Sequence, residues 1–219
     1  MRKEIYLIRH GQTDWNKAGR FQGQTDIPLN DTGRRQAKSL RESLKEHMPF
    51  DRMISSDLSR ARETAAIINE GYECPIVIDA AFRELCFGKW EGLVFDQIKN
   101  DYPLEARYWA TAPHLLHIAG GESLQELFGR VWPRFIYWTQ QKDYRSMAFV
   151  CHGGTCGALL CGLLNKPLSE LVTYIHGNTA LNVAELDENG IYHMARLNDQ
   201  SHLGDESGAF EAKDRERGR

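Results

Sequence analysis

Four short apolar stretches, residues 5–8 (IYLI), 53–54, 75–79 (PIVID) and 147–151 (MAFVC), are separated by segments whose apolar residues largely recur at helical spacing. Strands alternating with helices have few ways to bury both faces of a sheet. Right-handed crossovers between parallel strands place helices on each side, so the expected fold is α/β, a three-layer α/β/α arrangement around a mostly parallel central sheet. A first helix is expected with Asn30 as N-cap and Ala37, Leu40, Leu44 and Met48 on one face, stopped by Pro49. A second begins near Asp57 or Ser59 and runs through RARETAAIINE. A third spans Ser123 to about Gln140, interrupted or kinked near Pro133, and GGTCGALLCGLL reads as a fourth despite its glycines. Near the C-terminal end, TALNVAEL and IYHMARL bracket DENG, a hairpin signal.

The chain has 219 residues, 42% of them hydrophobic, enough for one well-buried domain. Residues 1–204 read as that single domain, and residues 205–219 as a polar tail that is unstructured unless a contact holds it. The stretch at about 85–121 breaks the strand–helix rhythm; a long irregular connection in a compact domain is usually functional, and we expect a lid over the site. A formal net charge of -3 offers no broad basic surface for nucleic acid or anionic membrane. Apolar runs such as 158–164 are too short to span a bilayer, and the N-terminus opens on a strand rather than a cleavable leader. Five cysteines, an odd number without finger-like or redox spacing, suit free thiols in a reducing cytoplasm. These features point to a cytoplasmic protein whose partner is a small molecule.

In open parallel sheets, ligands bind beyond the C-terminal ends of the strands. Arg9 and His10 follow the first predicted strand, Arg60 the second, Glu84 the third and His152 the fourth. Four separate segments thus deliver two arginines, two histidines and a carboxylate to one edge. A cation beside an imidazole at the end of a core strand is costly unless an anion compensates it. The planar fork of arginine suits phosphate, and Gly153 and Gly154 leave N–H groups open at a helix start. The edge therefore reads as a phosphate cradle. Taken singly, each residue has an ordinary explanation, such as Glu84 pairing with Arg83. Arg62, about 200° round the helix from Arg60, is read as a solvated charge. The two histidines lack a third ligand at metal-like spacing, so no metal is expected.

The stretches RHGQTDWN, RFQG, PLNDTGRRQA, SSDLSRARETA, RELCFGKWEG, GGES and VCHGG, in this order, resemble the histidine phosphatase superfamily in its phosphoglycerate mutase-like branch. The likeness covers roughly residues 5–160. It implies that His10 is the nucleophile, that Arg9 and Arg60 grip the transferring phosphoryl group, that His152 completes the pocket and that Glu84 is the proton donor. Asn16, Gln22, Gly23 and Gly153 fall at positions lining the phosphate or substrate entrance. A neutral His10 can attack phosphorus to give a phosphohistidine; its neighbouring arginines are expected to lower its pKa, and a backbone carbonyl to hold its other ring N–H.

That resemblance implies a phosphatase acting on a small-molecule phosphate ester without a cofactor. The mutases of the branch hold phosphoglycerate with adjacent basic residues in the lid; here the segment carries only Lys89, Lys99 and Arg107, none adjacent, among aromatic and aliphatic residues. In length and in GGES the chain is similar to alpha-ribazole phosphatases and broad-specificity relatives, which makes alpha-ribazole phosphate one expected substrate. Two alternatives stand beside it, a cofactor-dependent phosphoglycerate mutase and an inactive phosphate-binding regulatory module. His114 and His117 read as solvated loop residues, His202 has no role derivable from sequence, and an exposed sheet edge permits a homodimer without requiring one.

Overall fold

The computed structural model describes residues 2–206. The expected tail from 207 onward lies outside the described residues. A six-stranded sheet has the order β3-β2-β4-β1-β5-β6, with β1 at Lys3–Arg9, β2 at Arg52–Ser55, β3 at Ile76–Ile78, β4 at Ser146–Cys151, β5 at Leu181–Leu186 and β6 at Tyr192–Asp199. The first four strands pair in parallel; β5 runs antiparallel to β1 and β6 antiparallel to β5. The helices are α1 (Asp14–Ala18), α2 (Asp31–Ser43), α3 (Ser59–Asn69), α4 (Phe95–Asp101), α5 (Pro103–Thr111), α6 (Leu124–Thr139) and α7 (Gly153–Leu163).

Side-chain alternation sorts the strands into two cores. Ile5 and Leu7 of β1 pack with Phe149 of β4 beneath residues of α6 and α7 such as Phe135 and Leu159. Tyr6 and Ile8 face the other way and pack with Val150 against Leu40 of α2 and Ala61, Ala65 and Ile68 of α3. The chain thus leaves neighbouring strands β1 and β4 toward opposite faces of the sheet. That divergence opens a crevice at their C-terminal ends, where Arg9, His10 and His152 lie.

Three local expectations need correction. Met48 does not extend α2: the helix ends at Ser43, a 3₁₀ turn covers Lys45–His47, and Met48 precedes a cis Pro49. Pro133 does not interrupt α6, which is continuous from Leu124 to Thr139. Buried Leu127, Val131 and Phe135 hold the helix in the core on both sides of that point, which offsets the hydrogen bond that the proline removes. Residues 85–121 are not an irregular stretch, because they contain α4 and α5. Pro103 starts α5 at a position where a missing N–H costs nothing. Both helices are too short for a clear apolar period.

That segment is anchored by its aromatic residues. Phe21 stacks edge-on against Phe87, Trp90 and Trp109 at centroid separations of 4.9, 5.6 and 5.8 Å, and Trp90 is completely buried. The segment forms one wall of the crevice through Phe87 and Trp109. Glycine contact secures the opposite side. A Cβ on Gly11 would lie 2.5 Å from the Gly33 carbonyl oxygen, and one on Gly33 2.1 Å from that of Gln12. The glycines of RHG and NDTG therefore let the start of α2 close onto the loop that follows β1.

Candidate active site

An open cleft lies at this crevice, about 940 Å³ with the space open to solvent included, lined by Arg9, His10, Asn16, Gln22, Gly23, Arg60, Glu84 and Gly153 among others. Eight of the nine site residues expected from sequence meet there. The ninth, His152, is fully enclosed: its ring lies edge-on to His10 with centroids 5.1 Å apart, and neither ring nitrogen has a hydrogen-bond partner among the described residues. It adjoins His10 and feels the charges of Arg60 and Arg9.

His10 follows the last residue of β1 and is almost wholly buried. Its Nδ1 lies 2.7 Å from the Gly11 carbonyl oxygen, while Arg60 Nε donates to its Nε2 at 3.2 Å. A carbonyl only accepts and a guanidinium only donates, so the proton belongs on Nδ1 and the lone pair on Nε2. Burial, then the charges of Arg60 and Arg9, hold the His10 pKa well below 6.5. Desolvation outranks the arginines, which sequence reasoning had named alone. The same causes keep His152 neutral, again with burial first.

Arg60 occupies the first turn of α3, completely enclosed. Its terminal nitrogens donate to the Thr25 and Gly23 carbonyls at 2.9 and 2.7 Å, and Glu91 in turn accepts from the backbone of Gln24 and Thr25. Burial lowers its pKa to about 10, which leaves the guanidinium charged at neutral pH. Arg9 reaches across to the His176 carbonyl. Asn16 and Gln22 are linked through Thr13, whose hydroxyl lies 3.1 Å from Asn16 Oδ1 and 2.9 Å from Gln22 Oε1.

Glu84 revises one expectation. The sequence points to the start of α7 as an anion site for phosphate, but the N–H groups of Gly154 and Thr155 donate to the Glu84 carboxylate at 3.1 and 3.2 Å. The partial positive charge of a helix N-terminus attracts the nearest carboxylate, and here that carboxylate comes from the chain itself. Gly153 keeps its place on the cleft wall. Arg83 does not pair with Glu84; it pairs with Asp57. Arg62 is exposed, as expected.

Sequence reasoning missed several supporting residues. Asn178 Nδ2 donates to the His10 carbonyl at 3.0 Å and to Asn16 Oδ1 at 3.2 Å, and Thr179 N–H bonds the Arg9 and His10 carbonyls. His202 lies 3.0 Å from Thr179 Oγ1, so it supports the turn that carries Asn178. Nothing in the spacing of HGNTALN marks these residues. Glu91 and Glu122 do fall inside quoted motifs, WEG and GGES, yet their acceptor roles depend on loops that close only in three dimensions. Among the described residues, no group of three or more His, Cys, Asp or Glu side chains is arranged to hold a metal ion. All five cysteines are free.

The neutral histidines make stability depend on pH. Burial lowers His176 and His202 to about 4. Between pH 6.5 and about 4 the unfolded chain binds protons that the native state refuses, so their contribution is complete above 6.5 and is lost as pH falls toward 4. Thermal denaturation at stepped pH will show a falling Tm across this window. The slope will be shallower in a His176→Gln/His202→Gln variant; an unchanged slope contradicts the assignment.

The sequence model of the histidine phosphatase superfamily (branch 1) matches residues 5–200. Phosphoserine phosphatase 1 of Hydrogenobacter thermophilus is 30% identical over 204 residues, covering 92% of this chain and 95% of that protein. The solved structure of YhfR from Bacillus stearothermophilus superposes with a TM-score of 0.86 at 31% identity, over 92% of this chain and 99% of that one. The alpha-ribazole phosphatase of Shigella flexneri, at 24% identity and a TM-score of 0.81 over 91% and 97% of the two chains, shares the fold. No helix among the described residues is long and apolar enough to cross a membrane. By sequence and by fold, the chain belongs to the histidine phosphatase superfamily, branch 1.

Proposed function

We propose that the protein is a metal-independent phosphomonoesterase in which His10 carries the phosphoryl group between substrate and water. The observation that carries this reading is the His10 tautomer: Nδ1 is committed to Gly11, and Nε2 lies beside the Arg60 guanidinium at the cleft. Arg9 and Arg60 take the phosphate oxygens and neutralise charge that spreads onto them in the transition state. Nε2 attacks phosphorus in line, the ester oxygen departs, and Glu84 supplies the proton that oxygen needs. The Glu84 carboxylate then accepts a proton from water, which attacks the phosphohistidine and releases inorganic phosphate. His152, enclosed and neutral beside His10, completes the pocket with the two arginines.

A phosphatase fits better than a mutase. Lys89, Lys99 and Arg107 of the 85–121 segment do not line the cleft, so that segment offers no basic pair for a small dianion. Its contribution is Phe87 and Trp109, which with Val172 and Ile175 give the cleft an apolar wall; we infer that the segment acts as a lid against the organic body of the substrate. An ester with a heterocyclic body, such as alpha-ribazole phosphate, suits that wall. Arg20 also lines the cleft, which leaves room for a substrate with a second anionic group, the chemistry of the phosphoserine phosphatase relative. A purely regulatory module is disfavoured because each position needed for turnover holds a competent side chain.

The test is inorganic phosphate release in EDTA from a ribazole phosphate, phosphoserine, sugar phosphates, 3-phosphoglycerate and an aryl phosphate. Release that survives EDTA is expected, with kcat/KM ranking the esters. No release from any of them, with 2-phosphoglycerate formed from 3-phosphoglycerate in the presence of a bisphosphate primer, would establish the mutase instead. Glu84→Gln is expected to lower kcat/KM about 10²- to 10⁴-fold on alkyl phosphates and far less on aryl esters, whose leaving groups need no proton. Equal losses on both classes would remove Glu84 from the acid role.

A further inference from the structure

Glu84 sits in a stretch without helix or strand, between the 3₁₀ turn Ala80–Phe82 and the turn Gly88–Trp90. A group that must deliver a proton to one oxygen needs a fixed position, and regular secondary structure does not provide it here. The fixing comes from Arg130, seven residues into α6. Its Nη1 donates to the carbonyls of Ala81 and Arg83 at 2.7 and 2.9 Å, and its Nη2 to that of Glu84 at 2.9 Å. The same guanidinium is held by Glu122, with Nε and Nη2 on its two carboxylate oxygens at 2.6 and 2.8 Å. Glu122 also accepts from the Cys86 N–H at 3.3 Å, beyond Glu84 on the chain.

We propose that the Arg130–Glu122 pair is a positioning device for the acid–base step: it clamps the backbone on both sides of Glu84 and so sets where the carboxyl meets the ester oxygen. This rests on the phosphatase reading above. The pair is partly buried, with side-chain exposures of 24% and 14%, and the planar fork of arginine reaches three carbonyls and a carboxylate at once, which an ammonium cannot do. The carboxyl end of Glu84 is constrained independently. It accepts the Leu85, Gly154 and Thr155 N–H groups, and Thr155 Oγ1 bonds the Arg83 carbonyl at 2.7 Å. A Cβ on Gly154 would lie 2.6 Å from Glu84 Oε1, so the glycine lets the helix start approach the carboxyl closely. Releasing either end lets Glu84 move while His10, Arg9 and Arg60 keep their own anchors.

The expected signature is one that general loosening of the fold does not produce. Arg130→Met should lower kcat/KM for an alkyl phosphate by about 10²-fold and for an aryl phosphate by less than about 5-fold, the selectivity of a lost proton donor. Combined with Glu84→Gln it should leave the alkyl-to-aryl ratio where Glu84→Gln alone sets it, because both changes remove the same function. Glu122→Gln, which keeps the side chain's shape, should give a weaker form of the same selectivity and decides the matter if Arg130→Met does not fold. Equal losses on both esters, or a double variant whose ratio multiplies the two single effects, would overturn the clamp. A Glu84→Gln enzyme with no leaving-group selectivity would instead overturn the acid role itself.

Discussion

His10→Ala is expected to reduce kcat/KM for every phosphomonoester by on the order of 10⁴ or more, the scale seen when a covalent nucleophile is removed from a group of residues that act as a unit. No other described side chain can take its place. His152 is the neighbouring imidazole, with ring centroids 5.1 Å apart, but it is fully enclosed. The variant should still bind inorganic phosphate, because Arg9 keeps the His176 carbonyl, and Arg60 keeps the Thr25 and Gly23 carbonyls when its bond to the ring is lost. Steady-state kinetics beside phosphate binding by calorimetry separates the two contributions. Activity lost together with binding would mean that the ring mainly builds the pocket, and activity retained would exclude His10 as nucleophile.

Arg60→Met carries the second large effect, and it should appear in three ways. A loss of about 10² to 10⁴ in kcat/KM is expected from removing the buried charge proposed to face the transferring phosphoryl group. Stability should fall as well, since the Gly23 and Thr25 carbonyls lose their donors and a buried unpaired carbonyl costs about 1–3 kcal/mol. The third sign is in the pH profile. Arg60 is the largest charge holding the His10 pKa down, so without it that pKa rises toward 6.5 and the acid limb of kcat/KM moves to higher pH. Burial remains the larger cause, so the shift will be partial. Arg60→Lys should not restore activity, because one ammonium cannot serve two carbonyls, His10 and phosphate together. An acid limb that stays in place in Arg60→Met would contradict the electrostatic part of this account.

The parts of the molecule legible from sequence are those in which one residue type at one place in the chain has one physical consequence. Apolar runs of strand length gave β1, β2, β3 and β4, and Asn30 does cap α2 through the Gly33 N–H. Arg9 and His10 were legible because charge at the end of a core strand needs an anion. What escaped depends on contacts between distant segments. The Glu84 carboxylate seated on the start of α7 joins residues 70 positions apart, and the Arg130 clamp spans up to 49. Local sequence cannot distinguish these side chains from solvated ones. The helices within 85–121 escaped for a different reason: at 7 and 9 residues they are too short to show an apolar period, and the segment is held by Trp90, Trp109 and Phe87 packing on Phe21.

The central claim is that phosphate passes through a bond to His10, and one measurement addresses it directly. Glu84→Gln enzyme, which should charge normally with an aryl phosphate but discharge slowly, would be mixed rapidly with that ester and quenched in alkali, where phosphohistidine survives. Peptide mapping would then locate the bound phosphate. The account predicts a burst of phenol matched by one phosphoryl group on His10. A burst or steady turnover without protein-bound phosphate, or phosphate on any other residue, would contradict it.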